Sequence, residues 1–68
     1  MIRINELKGK IVSRGLTQEK VAKCIGITSK TFSEKLKKGV FLSYEIEIMV
    51  KILEIDNPID IFFADEVS

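Results

Sequence analysis

The side chains of this sequence able to do chemistry are mostly cations, and they stand close together. Lys30, Lys35, Lys37 and Lys38 lie within nine residues, interleaved with Ser33, preceded by Ser29 and accompanied by a single carboxylate, Glu34. Ammonium and hydroxyl groups at that spacing donate hydrogen bonds and attract anions. Catalysis needs more. The chain has no histidine, one cysteine, no clustered carboxylates among apolar residues and no glycine-rich phosphate loop, so neither enzyme activity nor a cofactor is expected. The same counts exclude a disulfide framework and a Cys/His zinc centre. Cys24 reads as a small helix side chain rather than a reactive thiol.

Charge is distributed unevenly along the chain. Residues 1–42 carry ten Lys/Arg against three acids, a balance of +7; residues 43–68 carry one base against seven acids, a balance of −6. One end suits a polyanion and the other does not, although helical surfaces also carry charge simply for solvation. Apolar residues make up 46% of the chain, enough for a packed core, and residues 1–68 are expected to form a single domain. The N-terminus lacks the apolar run of a secretory signal, and no stretch approaches the roughly 18–20 apolar residues of a membrane span. The expected location is the cytoplasm.

Periodicity and punctuation predict an all-α fold of five helices. Ile4, Leu7 and Ile11 recur at i, i+3, i+7 and mark a first helix ending near Arg14-Gly15. Thr17 is placed to cap a second helix with Val21, Ala22 and Ile25 on its inward face; Lys20 stands where a full capping box has Glu. Gly26 stops it. Thr28 caps a third helix, with Phe32 and Leu36 four apart, that closes near Lys38-Gly39. Val40-Phe41-Leu42 lead to a fourth helix capped by Ser43. Asp56-Asn57-Pro58 break that helix and open a short fifth carrying Ile59, Phe62 and Phe63. Only Gly26-Ile27-Thr28 separate the second helix from the third. A turn that short forces a large crossing angle, the geometry of a helix-turn-helix over about residues 17–38.

On a helical wheel Phe32 and Leu36 take one side of the third helix. Lys30, Glu34 and Lys37 lie roughly opposite, with Ser29 and Ser33 at the margin. Polar side chains in the N-terminal turns are where a recognition helix meets base edges in a DNA major groove. Lys35, Lys37 and Lys38, at the far end, could hold backbone phosphates. Taken alone, such a face is also that of any solvated helix.

The stretch Thr17-Gln18-Glu19-Lys20-Val21-Ala22-Lys23-Cys24-Ile25-Gly26-Ile27-Thr28 resembles the helix-turn-helix signature of the Cro and phage-repressor family. The usual form is Thr-Gln, an apolar–Ala pair, an apolar–Gly pair and a capping Ser or Thr. Leu53-x-Ile55 and Ile59-x-x-Phe62-Phe63 resemble that family's closing helices, so the likeness covers nearly the whole chain. Lys35-Leu36-Lys37-Lys38-Gly39 and the diphenylalanine are most similar to the small phage-type regulators of Gram-positive bacteria and their mobile elements. The resemblance implies a lambda-repressor-like, Cro-type domain that binds double-stranded operator DNA as a transcriptional repressor. By position it implies that Ser29, Lys30, Ser33 and Glu34 face the bases. Gln18, Thr28, Lys35, Lys37, Lys38 and the backbone at Gly39 would hold phosphates. Two positions depart from the pattern. Many relatives pair an Arg in the first helix with a Glu late in the recognition helix; here the residues are Ile11 and Leu36, an apolar exchange that costs little or even stabilises. Glu34 repels phosphate and would instead accept from a cytosine amino group.

The fourth helix is more apolar than one core needs. Ile46, Ile48, Met49, Val50, Ile52, Leu53 and Ile55 sweep about 220°, against the roughly 100° a core-facing helix requires. Ile46, Met49, Val50 and Leu53 suit the core. Ile48, Ile52 and Ile55 then point elsewhere, where Phe41, Leu42 and Phe63 are expected to join them. Such a patch is either covered by the fifth helix and the C-terminal residues or marks an interaction site. In a DNA-binding module the interaction is a two-fold homodimer with recognition helices about one DNA turn apart. The alternative use of the scaffold is to bind a partner repressor or a toxin through the acidic second half.

Overall fold

The computed structural model describes residues 2–64, and their regular structure is all helical: α1 (Ile4–Ser13), α2 (Gln18–Ile25), α3 (Ser29–Lys38), α4 (Ser43–Ile52) and α5 (Pro58–Phe62). α2 and α3 start, and the first three helices stop, where local chemistry directs. Thr17 Oγ1 accepts from the Lys20 N–H at 3.2 Å to open α2, and Thr28 Oγ1 accepts from the Thr31 N–H at 3.1 Å to open α3. Each bond satisfies one of the donors that a helix start leaves unpaired. Glycines of positive φ close α1, α2 and α3, at Gly15, Gly26 and Gly39. At Gly26, with φ 92°, the closure is tightest in its consequence, because the next helix starts three residues later. The Gly26 N–H reaches Lys23 O at 3.1 Å and the Ile27 N–H reaches Ala22 O at 3.0 Å, the paired bonds of a left-handed helix stop.

α4 follows different rules. Ser43 is its first residue rather than its cap, and Glu45 does the capping: Oε1 accepts from the Leu42 N–H at 2.7 Å. The helix ends without glycine. Glu54 takes the left-handed conformation at φ 50°, and the Ile55 N–H returns to Val50 O at 3.0 Å. Arg14, just past α1, holds this end in place. Its Nε donates to Leu53 O at 2.7 Å and its Nη2 to Glu54 O at 3.1 Å, so a cation serves orphan carbonyls at the negative end of the helix dipole. Arg14→Ala is expected to cost about 1–2 kcal/mol, seen as a lower thermal midpoint. Arg14→Lys should recover little of it, since one ammonium cannot reproduce the guanidinium fork. An unchanged midpoint in Arg14→Ala would show that water serves these carbonyls equally well.

The core gathers Leu7 and Ile11 from α1, Val21, Ala22 and Ile25 from α2, and Phe32 and Leu36 from α3. Met49 and Leu53 come from α4 and its end, and Ile61 and Phe62 from α5. α2 packs on α3 and α4, and α1 on α5. The Arg3 N–H donates to Ile61 O at 2.8 Å and so ties the residues before α1 to α5.

Two residues expected on the outward apolar patch belong to this core. Phe41 is buried, its ring centroid 5.6 Å from that of Phe32, because the connector turns Phe41 inward and leaves Val40 and Leu42 exposed. Ile55 is buried because α4 has already ended at Ile52; the left-handed Glu54 redirects the chain, and a wheel extended to residue 55 does not describe it. Ile48 and Ile52 are half-buried against the core, alongside Ile46 and Val50. α5 turns Ile61 and Phe62 inward, while Ile59 and Phe63 are 59% and 40% exposed. Residues 65–68, expected among those covering the patch, lie outside the described residues. Among the described residues no helix is long and apolar enough to cross a membrane.

Candidate nucleic-acid interface

Phe32 and Leu36 anchor one side of α3 in the core, and this fixes the helix's rotation. Ser29, Lys30, Ser33, Glu34, Lys37 and Lys38 are consequently exposed. Thr28 is also exposed, but its hydroxyl accepts from the Thr31 N–H and donates to Thr31 Oγ1 at 3.0 Å. Its hydroxyl therefore serves the helix start. Gly39 is half-buried at the other end, where its N–H returns to Lys35 O at 2.8 Å.

Lys35 parts company with the lysines around it. Its Nζ lies 3.2 Å from Glu45 Oε1, with the lysine side chain 25% exposed and the glutamate 1%. This pair joins α3 to the start of α4 and takes Lys35 out of the expected phosphate-holding set. The same carboxylate oxygen accepts from the Leu42 N–H. Taking a carboxylate out of water costs several kcal/mol, and charge-assisted bonds of this kind offset that cost. No local pattern marks Glu45 as buried; its position three residues after Leu42, in the first turn of a helix, is the one signal of its capping role.

Other cations of the basic half are engaged as well. Arg14 lies on the α4 carbonyls, and Arg3 Nη1 sits 3.2 Å from Glu6 Oε1. Lysines therefore carry most of the positive charge that faces solvent beside α3. An open cleft between α1, the start of α2 and α3 is lined by Ile4, Lys8, Gln18, Ser33, Leu36 and Lys37. Gln18, Ser33 and Lys37, marked in the sequence at separate points, thus meet in one place. Lys8, which no motif marks, joins them. Its spacing of four from Ile4 puts the two on one side of α1, but which way that side faces depends on how α1 packs. The polar lining consists of two ammonium groups, an amide and a hydroxyl, all able to donate, around apolar Ile4 and Leu36.

A second depression is lined by Thr31, Glu34, Lys35, Lys38 and Val40, and a third, near α4 and α5, by Ile46, Glu47, Val50, Lys51 and Pro58. Cys24 is an exposed free thiol on α2. Among the described residues no group of His, Cys, Asp and Glu is placed to hold a metal. Comparisons of the chain with family models, with curated proteins and with solved structures gave no match.

Proposed function

We propose that this chain is a sequence-specific DNA-binding transcriptional regulator of the Cro and phage-repressor type, with α2 and α3 forming the helix-turn-helix. The supporting observation is the meeting of Gln18, Ser33 and Lys37 on one cleft beside the exposed face of α3. α3 enters the major groove, with Ser29, Lys30 and Ser33 toward base edges and Glu34 available to a cytosine amino group. The Gln18 amide and the Lys37 ammonium bind phosphates, which fixes depth and register; Lys38 and the backbone near Gly39 extend that contact. Phosphate bonds supply affinity and base bonds supply specificity. The regulator acts without cofactor or catalysis.

A single recognition helix reads few base pairs, so the working unit is a homodimer whose second copy engages a half-site about one DNA turn away. Exposed apolar side chains that support self-association are Leu42, Ile59 and Phe63. Tyr44, 49% exposed, and these three lie in or beside the acidic half, and that favours one second reading: docking on a partner repressor or a toxin. Weak, salt-insensitive DNA binding together with tight binding to such a protein would select it.

Gel-shift titrations test the DNA-binding reading. Lys37→Ala is expected to weaken binding to all sequences and to lower the slope of log K against log salt by about 0.9. Gln18→Ala should likewise weaken all sequences alike. Lys30→Ala should change the preferred sequence, losing roughly 1–3 kcal/mol of discrimination. A Lys30→Ala protein with unaltered preference would remove that side chain from the base-reading set.

A further inference from the structure

Resting on the DNA-binding reading, we propose that Lys8 makes a phosphate contact of its own, so that α1 grips the DNA backbone together with α2 and α3. The case starts from the rotation of α1. Leu7 and Ile11 are fully buried and Ile4 is half-buried, which leaves Lys8 exposed on the side that lines the cleft. Lys37 lines the same cleft from α3. Of the three depressions described above, this one has cations in its lining without a carboxylate. The depression beside Val40 sets Glu34 among its lysines, and the one near Pro58 sets Glu47 against Lys51.

Two like charges facing one opening raise the energy of the unbound protein, and an anion placed there relieves both. A ligand with repeated negative charge matches two ammonium groups held on separate helices better than one compact ion does. The DNA backbone is such a ligand, and its sugars give the half-buried Ile4 something to meet. Lys10 provides an internal comparison: it lies on the same helix with the same charge, about 200° around the axis by helix geometry, and away from the cleft.

The test is fluorescence anisotropy with a mixed-sequence duplex two turns long, across a salt series, for the wild type, Lys8→Ala, Lys8→Arg, Lys10→Ala and Lys37→Ala. Lys8 is exposed, so its substitution leaves the core intact, and circular dichroism verifies this. The expected result is a slope lowered by about 0.9 in Lys8→Ala and again in Lys37→Ala, and held at the wild-type value in Lys8→Arg and Lys10→Ala. If Lys37→Ala lowers the slope and Lys8→Ala does not, the α1 contact is wrong while DNA binding stands. Equal losses in Lys8→Ala and Lys10→Ala would mean net charge matters and the cleft does not, which overturns the assignment. Absence of salt-dependent binding by the wild type overturns the DNA-binding reading itself, and the Lys8 contact with it.

Discussion

Phe32→Ala is expected to lower stability by about 3–5 kcal/mol, the range for removing a fully buried aromatic ring from a core. The ring is completely buried, and its partner Phe41 sits 5.6 Å away at a 52° tilt. Such tilted aromatic pairs add about 0.5–1.5 kcal/mol beyond the area they bury. A domain of this size has a total stability near the bottom of the usual 5–15 kcal/mol range, so the variant should be largely unfolded or melt at least about 15 °C lower. Val12→Ala gives the contrast. Val12 is 74% exposed, and its truncation should change stability by less than about 0.5 kcal/mol. Similar melting of the Phe32→Ala protein and the wild type would show that α3 is not seated through this residue.

Lys35→Ala is expected to cost about 2–3 kcal/mol, because the buried Glu45 side chain loses its ion-pair partner and is left with one backbone donor. The lysine is partly exposed, so water can reach the vacated position and hold the loss below that of a wholly buried pair. Adding Glu45→Leu should return much of the stability, since an apolar replacement of a buried ion pair is often near neutral. The cap on Leu42 is lost in that double variant, which leaves a residual deficit of about 1 kcal/mol. The salt slope of DNA binding supplies a second readout. It should not change in Lys35→Ala, as the ammonium points to Glu45. A slope reduced by one contact with stability unaltered would mean that Lys35 reaches phosphate and that the ion pair is incidental.

The contrast between Lys37 and Lys35 shows what was legible in the sequence. Lys37 falls opposite Phe32 and Leu36 on a wheel, and the structure exposes it as that spacing requires. Lys35, two residues earlier, is directed by a partner ten residues away across a connector, and no local periodicity encodes the partnership. Helix starts at Thr17 and Thr28 and stops at Gly15, Gly26 and Gly39 were readable because each depends on bonds within a few residues. The end of α4 was not. There a glutamate adopts a conformation usual for glycine, held by Arg14 from about 40 residues upstream in the chain. The misplacement of Ile55 follows from that single event. Phe41 and Ile61 face inward for reasons of packing between elements, which residue type alone does not reveal. In the candidate site, Gln18, Ser33 and Lys37 were each marked by position within a motif, whereas Lys8 required knowing how burial of Leu7 and Ile11 turns α1.

Selection from a pool of random-sequence duplexes tests the central claim most directly, because it asks for binding, sequence preference and symmetry at once. The wild type is expected to enrich a two-fold symmetric sequence with half-sites about 10 base pairs apart, centre to centre. In parallel, Lys30→Ala should enrich a sequence altered at corresponding positions of both half-sites. A wild-type pool that stays random after repeated rounds, under salt conditions where the protein is folded, would contradict the claim that α3 reads DNA.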